Sequence, residues 1–184
     1  GCSPSVVKIL RTIKVKDISQ YPSTDILRTQ LAIRFGVTRD NILFGTGSEQ
    51  LIKLIAQTFI QPDDMVLIER GSFSLFLKES LLAQGNVRLV TIPSMPDSNA
   101  SCIFLANPKT PTGEIIPQAH LKRIATNPRR TLLVIDEANG EFIDESSISW
   151  GVKRPNVLVL KTFSKAFGLA GMRIGLVIGP KNLI

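Results

Sequence analysis

Cysteine, histidine, tryptophan and tyrosine are all scarce in this chain: 184 residues hold two, one, one and one of them. Cys2 and Cys102 are too few for a disulfide framework, and Cys102 lies in an apolar, strand-like run. A reducing, cytoplasmic setting is therefore expected. The lone histidine sits in Gln118-Ala119-His120-Leu121-Lys122, on an expected surface helix. No spacing of metal ligands exists around it, and no Ser-His-Asp arrangement suggests itself. No apolar run reaches the roughly 20 residues of a membrane helix, and the first residues lack the layout of a secretory signal. No membrane partner is expected. Repeats and low-complexity segments are absent as well.

Lysine and arginine number 22 against 15 acidic residues, a net charge of +7. That balance suits nucleic acid only if the cations cluster with aromatics. Here they are scattered. The densest group, Lys8, Arg11, Lys14 and Lys16, has no interleaved ring to stack a base, so no nucleic-acid partner is expected. With 43% hydrophobic and 20% charged residues, the chain can build one domain with a substantial core. It starts Gly1-Cys2-Ser3-Pro4 and stops at Asn182-Leu183-Ile184, and neither end reads as a natural terminus.

Short apolar runs alternate with longer amphipathic ones, the pattern of an α/β protein. Ser3 and Pro4 suit an N-cap and first helical residue for a helix through about Ile13. Thr24 or Asp25 opens a second helix, which Gly36 stops. Seven strands are expected: Ile42–Thr46, Met65–Glu69, Val87–Ile92, Cys102–Ala106, Thr131–Asp136, Asn156–Lys161 and Arg173–Ile178. Several are near-continuous Val/Ile/Leu runs, as strands buried on both faces require. Helices are expected at Ser48–Ile60, Phe73–Ala83 and Gln118–Ala125, and a loop over Ser94–Ser101. Residues 1–40 form an N-terminal helical segment in this reading, and 41–184 the main domain.

The most telling run is Lys161-Thr162-Phe163-Ser164-Lys165-Ala166-Phe167-Gly168-Leu169-Ala170-Gly171-Met172-Arg173-Ile174-Gly175. It sets Lys165 in a small, glycine-rich turn after an apolar strand, with Arg173 following. An amine held near an aldehyde and a guanidinium near a phosphate are the two demands of a pyridoxal phosphate site. Asp136 ends the strand Leu132-Leu133-Val134-Ile135, where it could meet a pyridine nitrogen or cap a helix. Gly45-Thr46-Gly47-Ser48-Glu49 joins a strand to a helix, and free N–H groups at that helix start could bind phosphate. No Gly-Lys-Ser/Thr follows, so it is not a Walker loop.

Together these motifs resemble fold-type I pyridoxal phosphate aminotransferases (class I and II), most of all the histidinol-phosphate aminotransferase group. The resemblance covers nearly the whole chain. It implies a three-layer α/β/α large domain with a seven-stranded, mostly parallel mixed sheet whose last strand is antiparallel. It leaves the family's C-terminal small domain, with the arginine for the substrate carboxylate, outside these 184 residues.

The resemblance further implies pyridoxal 5'-phosphate as cofactor, with catalytic roles for Lys165 (the Schiff-base amine and proton carrier) and Asp136 (the partner of the ring nitrogen). Phe73 matches the stacking aromatic, where the family more often has tyrosine. Thr46, Gly47, Ser48 and Glu49 match the phosphate loop, completed by Ser164 and Arg173. Tyr21, in Tyr21-Pro22, matches a tyrosine that reaches the neighbouring subunit's cofactor, which implies a homodimer. Two positions depart from the family. Asn107-Pro108-Lys109-Thr110-Pro111-Thr112-Gly113 has Thr110 where the family has the asparagine that touches the cofactor O3' oxygen. Asp136-Glu137-Ala138-Asn139 has Asn139 in place of the second O3' donor, a tyrosine. The implied reaction moves an amino group from an amino acid or amino-alcohol phosphate to a 2-oxo acid. Decarboxylation of an amino-acid phosphate, or a scaffold without turnover, are the alternatives.

Overall fold

The computed structural model describes residues 1–91, 99–126 and 131–184. Three helices come first: α1 (Pro4–Leu10), α2 (Val15–Ser19) and α3 (Asp25–Phe35). Strands and helices then alternate: β1 (Ile42–Thr46), α4 (Ser48–Phe59), β2 (Met65–Glu69), α5 (Ser74–Leu82), β3 (Asn86–Val90), β4 (Cys102–Ala106), α6 (Gln118–Ala125) and β5 (Leu132–Asp136). A one-turn helix α7 (Ile148–Gly151), β6 (Val157–Thr162) and β7 (Ile174–Ile178) complete the order.

The seven strands form one sheet in the order β1-β7-β6-β5-β4-β2-β3. β7 runs antiparallel to both β1 and β6, and the remaining pairs are parallel. The mixed sheet expected from the sequence is present, with the last strand reversed. The first helix is shorter than expected. It stops at Leu10 rather than near Ile13, and the Thr12 hydroxyl closes its end by donating to the Ile9 carbonyl at 2.7 Å. A separate helix, α2, begins at Val15 instead. Ile92 and most of the expected 94–101 loop lie outside the described residues.

Strand alternation decides what each face buries. Leu133, Ile135, Val157 and Val159 pack with Leu31 and Ala32 of α3, Leu121 and Ile124 of α6 and Ile148 of α7. Leu132, Val134, Leu158 and Leu160 pack on the other face with Leu51, Ile52 and Ile55 of α4 and Phe76 of α5. The parallel strands β4, β5 and β6 are buried along their whole length, which is why they read as continuous apolar runs. At Gly36 the chain takes a left-handed turn (φ 64°) that ends α3, as its glycine foretold.

One close approach locks α4 to the sheet. A Cβ on Gly175 would stand 2.3 Å from the Gly47 carbonyl carbon and 2.6 Å from the Ser48 nitrogen. Both atoms are backbone, so neither can turn aside. Gly175→Ala is expected to destabilise the fold by roughly 1–3 kcal/mol, the usual cost of overpacking. A urea midpoint equal to that of the parent would contradict this packing.

Candidate active site

The carboxyl ends of β2, β4, β5 and β6 and the amino end of the reversed β7 meet along one edge of the sheet. A cleft of about 250 Å³ opens there. The loops leaving these strands supply its walls, as expected where ligands bind to open α/β sheets.

Asp136 closes the floor. It is the last residue of β5 and its side chain is buried. Among the described residues its carboxylate accepts one hydrogen bond, from the Ala138 N–H at 2.9 Å. Burial pushes its pKa up to about 6; the Ala138 hydrogen bond pulls down, the Glu137 charge pushes up, and Lys161 and Lys165 pull down. Lys165 lines the same cleft from the turn after β6. Thr162 and Ser164 shape that turn. The Thr162 hydroxyl lies 3.0 Å from the Ser164 hydroxyl and accepts from the Ser164 N–H at 3.2 Å.

The anion end is built on α4. Gly47 caps that helix with φ 83° and no side chain fills the cap, so the first-turn N–H groups of Ser48 and Glu49 remain available beside the cleft. Arg173 approaches from β7, its backbone in the left-handed region at φ 53°. A non-glycine residue there costs of order 1 kcal/mol, a strain typical of functional positions. Its guanidinium donates to the Glu49 carboxylate at 3.2 Å and to the Thr46 carbonyl at 3.4 Å. A Cβ on Gly47 would stand 2.7 Å from that guanidinium, so glycine is what lets Arg173 in.

Phe73 forms a side wall. Its ring meets Phe76 edge-on at 5.8 Å, and Phe76 stacks on Phe104 at 5.2 Å, so a buried aromatic pair braces it. Thr110 and Asn139 line the cleft as well, joined by a hydrogen bond from the Asn139 amide to the Thr110 hydroxyl at 3.3 Å.

Of the residues expected from the sequence, the structure gathers Gly47, Ser48, Glu49, Phe73, Thr110, Asp136, Asn139, Ser164, Lys165 and Arg173 around one cleft. Thr46 sits at the rim, outside the lining. Its N–H and hydroxyl both go to Gln50 Oε1, at 2.6 and 3.0 Å. Tyr21 is fully exposed and does not line the cleft of its own chain. Ala138, Thr162 and Ala170 complete the lining without having been singled out. Each lies inside a motif that had been, so the signal was there. Among the described residues no group of His, Cys, Asp or Glu is arranged to hold a metal ion.

The neighbouring Glu137 and Lys161 turn to the other side of the sheet. Lys161 Nζ lies 2.9 Å from Glu141 and 3.6 Å from Glu137, all three largely or wholly buried. Glu137 also accepts from the Ser146 hydroxyl and the Ser147 N–H, each at 2.6 Å.

A family model described as aminotransferase class I and II matches residues 3–184. The chain belongs to that family. The histidinol-phosphate aminotransferase of Ruminiclostridium cellulolyticum is 34% identical over 182 residues, which cover 90% of this chain and 51% of that protein. The chain thus spans about half the length of such curated relatives. The crystal structure of histidinol-phosphate aminotransferase from Sinorhizobium meliloti in complex with pyridoxal-5'-phosphate matches with a TM-score of 0.90 at 28% identity, over 99% of this chain and 54% of that one. The L-threonine-O-3-phosphate decarboxylase of Porphyromonas gingivalis shares the fold, with a TM-score of 0.86 at 24% identity over 98% of this chain and 57% of that one.

Two predictions follow from the buried charges of this family member. Folding raises the Asp136 pKa from 3.8 to about 6, so its ionised form costs stability. That cost is absent below the unfolded value, grows through the window between the two, and is complete above the upper one. It amounts to about 3 kcal/mol at most. Asp136→Asn should therefore stabilise the cofactor-free protein by roughly 1–3 kcal/mol at neutral pH, with the gain vanishing as pH falls to the unfolded value. Urea titrations across pH measure it, and a gain independent of pH would contradict it. Lys161→Met strands two carboxylates, and should cost about 3–5 kcal/mol in the same measurement.

Proposed function

We propose that this chain binds pyridoxal 5'-phosphate and forms the catalytic core of an aminotransferase. The observation that carries the reading is the convergence of Lys165, Asp136, Phe73 and an anion cradle on one cleft. Its donor set suits each part of such a cofactor. The amine of Lys165 suits its aldehyde, the buried carboxylate suits a protonated ring nitrogen, and the Phe73 face suits the ring itself. The first-turn N–H groups of α4, the Ser164 hydroxyl and Arg173 suit the phosphate. Residues 41–184 hold this apparatus, behind the helical segment 1–40.

When bound, pyridoxal phosphate supplies a carbonyl that condenses with amines and a ring that takes up the electron pair released at a substrate α-carbon. The protein does the rest. Asp136 keeps the ring nitrogen protonated, and the cost of burying its charge is offset once that cation faces it. Lys165 would carry the proton removed from the substrate α-carbon. Thr110 and Asn139, already joined to each other, orient the oxygen side of the ring. Arg173, now donating to the Glu49 carboxylate, would hold the phosphate, whose larger negative charge outcompetes a single carboxylate for the guanidinium.

The substrates in this reading are an amino acid or amino-alcohol phosphate of the histidinol-phosphate kind and a 2-oxo acid. The relatives named histidinol-phosphate aminotransferase support this class. We assign the working unit as a cytoplasmic homodimer in which the exposed Tyr21 reaches the neighbouring subunit's cleft. No helix among the described residues is long and apolar enough to cross a membrane.

Intact-mass measurement after borohydride reduction with excess pyridoxal phosphate tests the reading. One reduced cofactor should be fixed per chain, and none in Lys165→Ala. A parent chain that gains no mass would overturn it. In the full-length protein, release of carbon dioxide without formation of a keto acid would turn the assignment to a decarboxylase on the same scaffold.

A further inference from the structure

Glu69 is the last residue of β2, and its side chain is almost wholly buried. Facing it is Lys109, whose ammonium lies 2.8 Å from Glu69 Oε1 and 3.0 Å from Glu114 Oε2. Neither Glu69 nor Lys109 lines the cleft, and the chemistry proposed above uses neither. The second Glu69 oxygen is buried with no hydrogen bond among the described residues. Lys109 is therefore the cation that keeps a desolvated carboxylate in place. Burial pushes the Glu69 carboxyl above the usual carboxylate range, and the hydrogen bond from Lys109 draws it back.

Their places in the chain give this pair its meaning. Glu69 begins the segment that presents Phe73, with the Ser72 N–H donating back to the Glu69 carbonyl at 3.1 Å. Lys109 directly precedes Thr110. Its own loop is closed by two ladders: Ile116 N–H to Asn107 Oδ1 at 2.8 Å, and Lys109 N–H to the Glu114 carbonyl at 2.8 Å. Those bonds hold the 107–116 loop to itself. The ammonium of Lys109 is what ties it to the neighbouring strand end.

We infer that Glu69 and Lys109 form an ionic clasp between the two neighbouring loops that carry Phe73 and Thr110, and so act as positioning residues for these two parts of the cleft lining. The clasp sets where these two lining residues stand relative to each other. Its effect on ligand binding rests on the function proposed above, whereas the coupling of the two loops does not.

Four forms of the chain separate positioning from plain stability: the parent, Lys109→Met, Lys109→Arg and the double variant Glu69→Gln/Lys109→Met. Lys109→Met leaves a buried carboxylate unpaired. It should lower the urea midpoint and weaken pyridoxal phosphate binding on the order of tenfold. Hydrogen exchange of the cofactor-free protein should quicken on both sides of the clasp, in segment 71–76 as well as in 108–114. Lys109→Arg should restore affinity and exchange, since it keeps a donor cation. The double variant removes the stranded charge and should recover the midpoint, yet affinity should stay weak and exchange in 71–76 fast. Affinity that returns together with the midpoint would reduce the pair to a structural role and overturn the inference. Faster exchange confined to 108–114 would overturn it too. If the parent chain takes up no pyridoxal phosphate, the function proposed above falls, and exchange across 71–76 alone decides the clasp.

Discussion

A carboxylate at the end of a strand covered on both faces has little water to solvate it. Asp136 is in that position, because β5 lies between β4 and β6 and both of its faces are under helices. The surroundings answer with one backbone N–H and with the more distant charges of Lys161 and Lys165. The carboxyl is thus kept in a state that a cationic partner would relieve. Everything else at the site is arranged around that unmet demand: an amine one strand away, an aromatic wall, and an anion cradle at the far end.

The sheet also keeps two sets of charges apart. Asp136 and Thr162 belong to the face under α4 and α5, while the adjacent Glu137 and Lys161 belong with α6 and α7. Side chains one residue apart diverge because the pleat has a period of two. Glu137 can therefore be fully paired with Ser146, Ser147 and Lys161 only a residue away from an almost unpaired Asp136. Gly140 takes part in this arrangement, since a Cβ there would come 2.8 Å from Lys161 Nζ.

Much of this was legible before the structure. Strands β1, β2 and β4 begin and end where the sequence placed them; β4, buried along its whole length, is apolar from end to end, while β1 and β2 run out at Thr46 and Glu69. The reversed direction of β7 came from resemblance alone; nothing in Ile174–Ile178 itself encodes orientation. The first helix was read too long because Arg11, Thr12 and Ile13 carry no strong stop signal, and a hydroxyl-to-carbonyl bond ended it. At the site, lysine, aspartate and glycine loop stood out because their chemistry is rare at those spacings. Gln50 did not, since a glutamine in a helix looks like ordinary surface until its amide oxygen is seen taking two bonds from Thr46. Long-range ion pairs such as Lys109 with Glu69 cannot be read from spacing at all.

The reversed strand has a consequence for how such a cleft can vary. Lys165 departs from the sheet with β6, whereas Arg173 arrives with β7, and the pairing of Thr162 with Gly175 pins both departure and arrival. The stretch between them is a loop folded on itself, with the Gly168 N–H donating to the Lys165 carbonyl at 2.9 Å and the Leu169 N–H to the Phe163 carbonyl at 3.1 Å, and it is fastened to the sheet at its two feet. Insertions or deletions within it can move the guanidinium against the amine, or reshape the rim, while the hydrogen-bonded ladder on either side stays in register. The distance between the two cations is thus a property of a loop, open to adjustment without any change in the sheet that carries it.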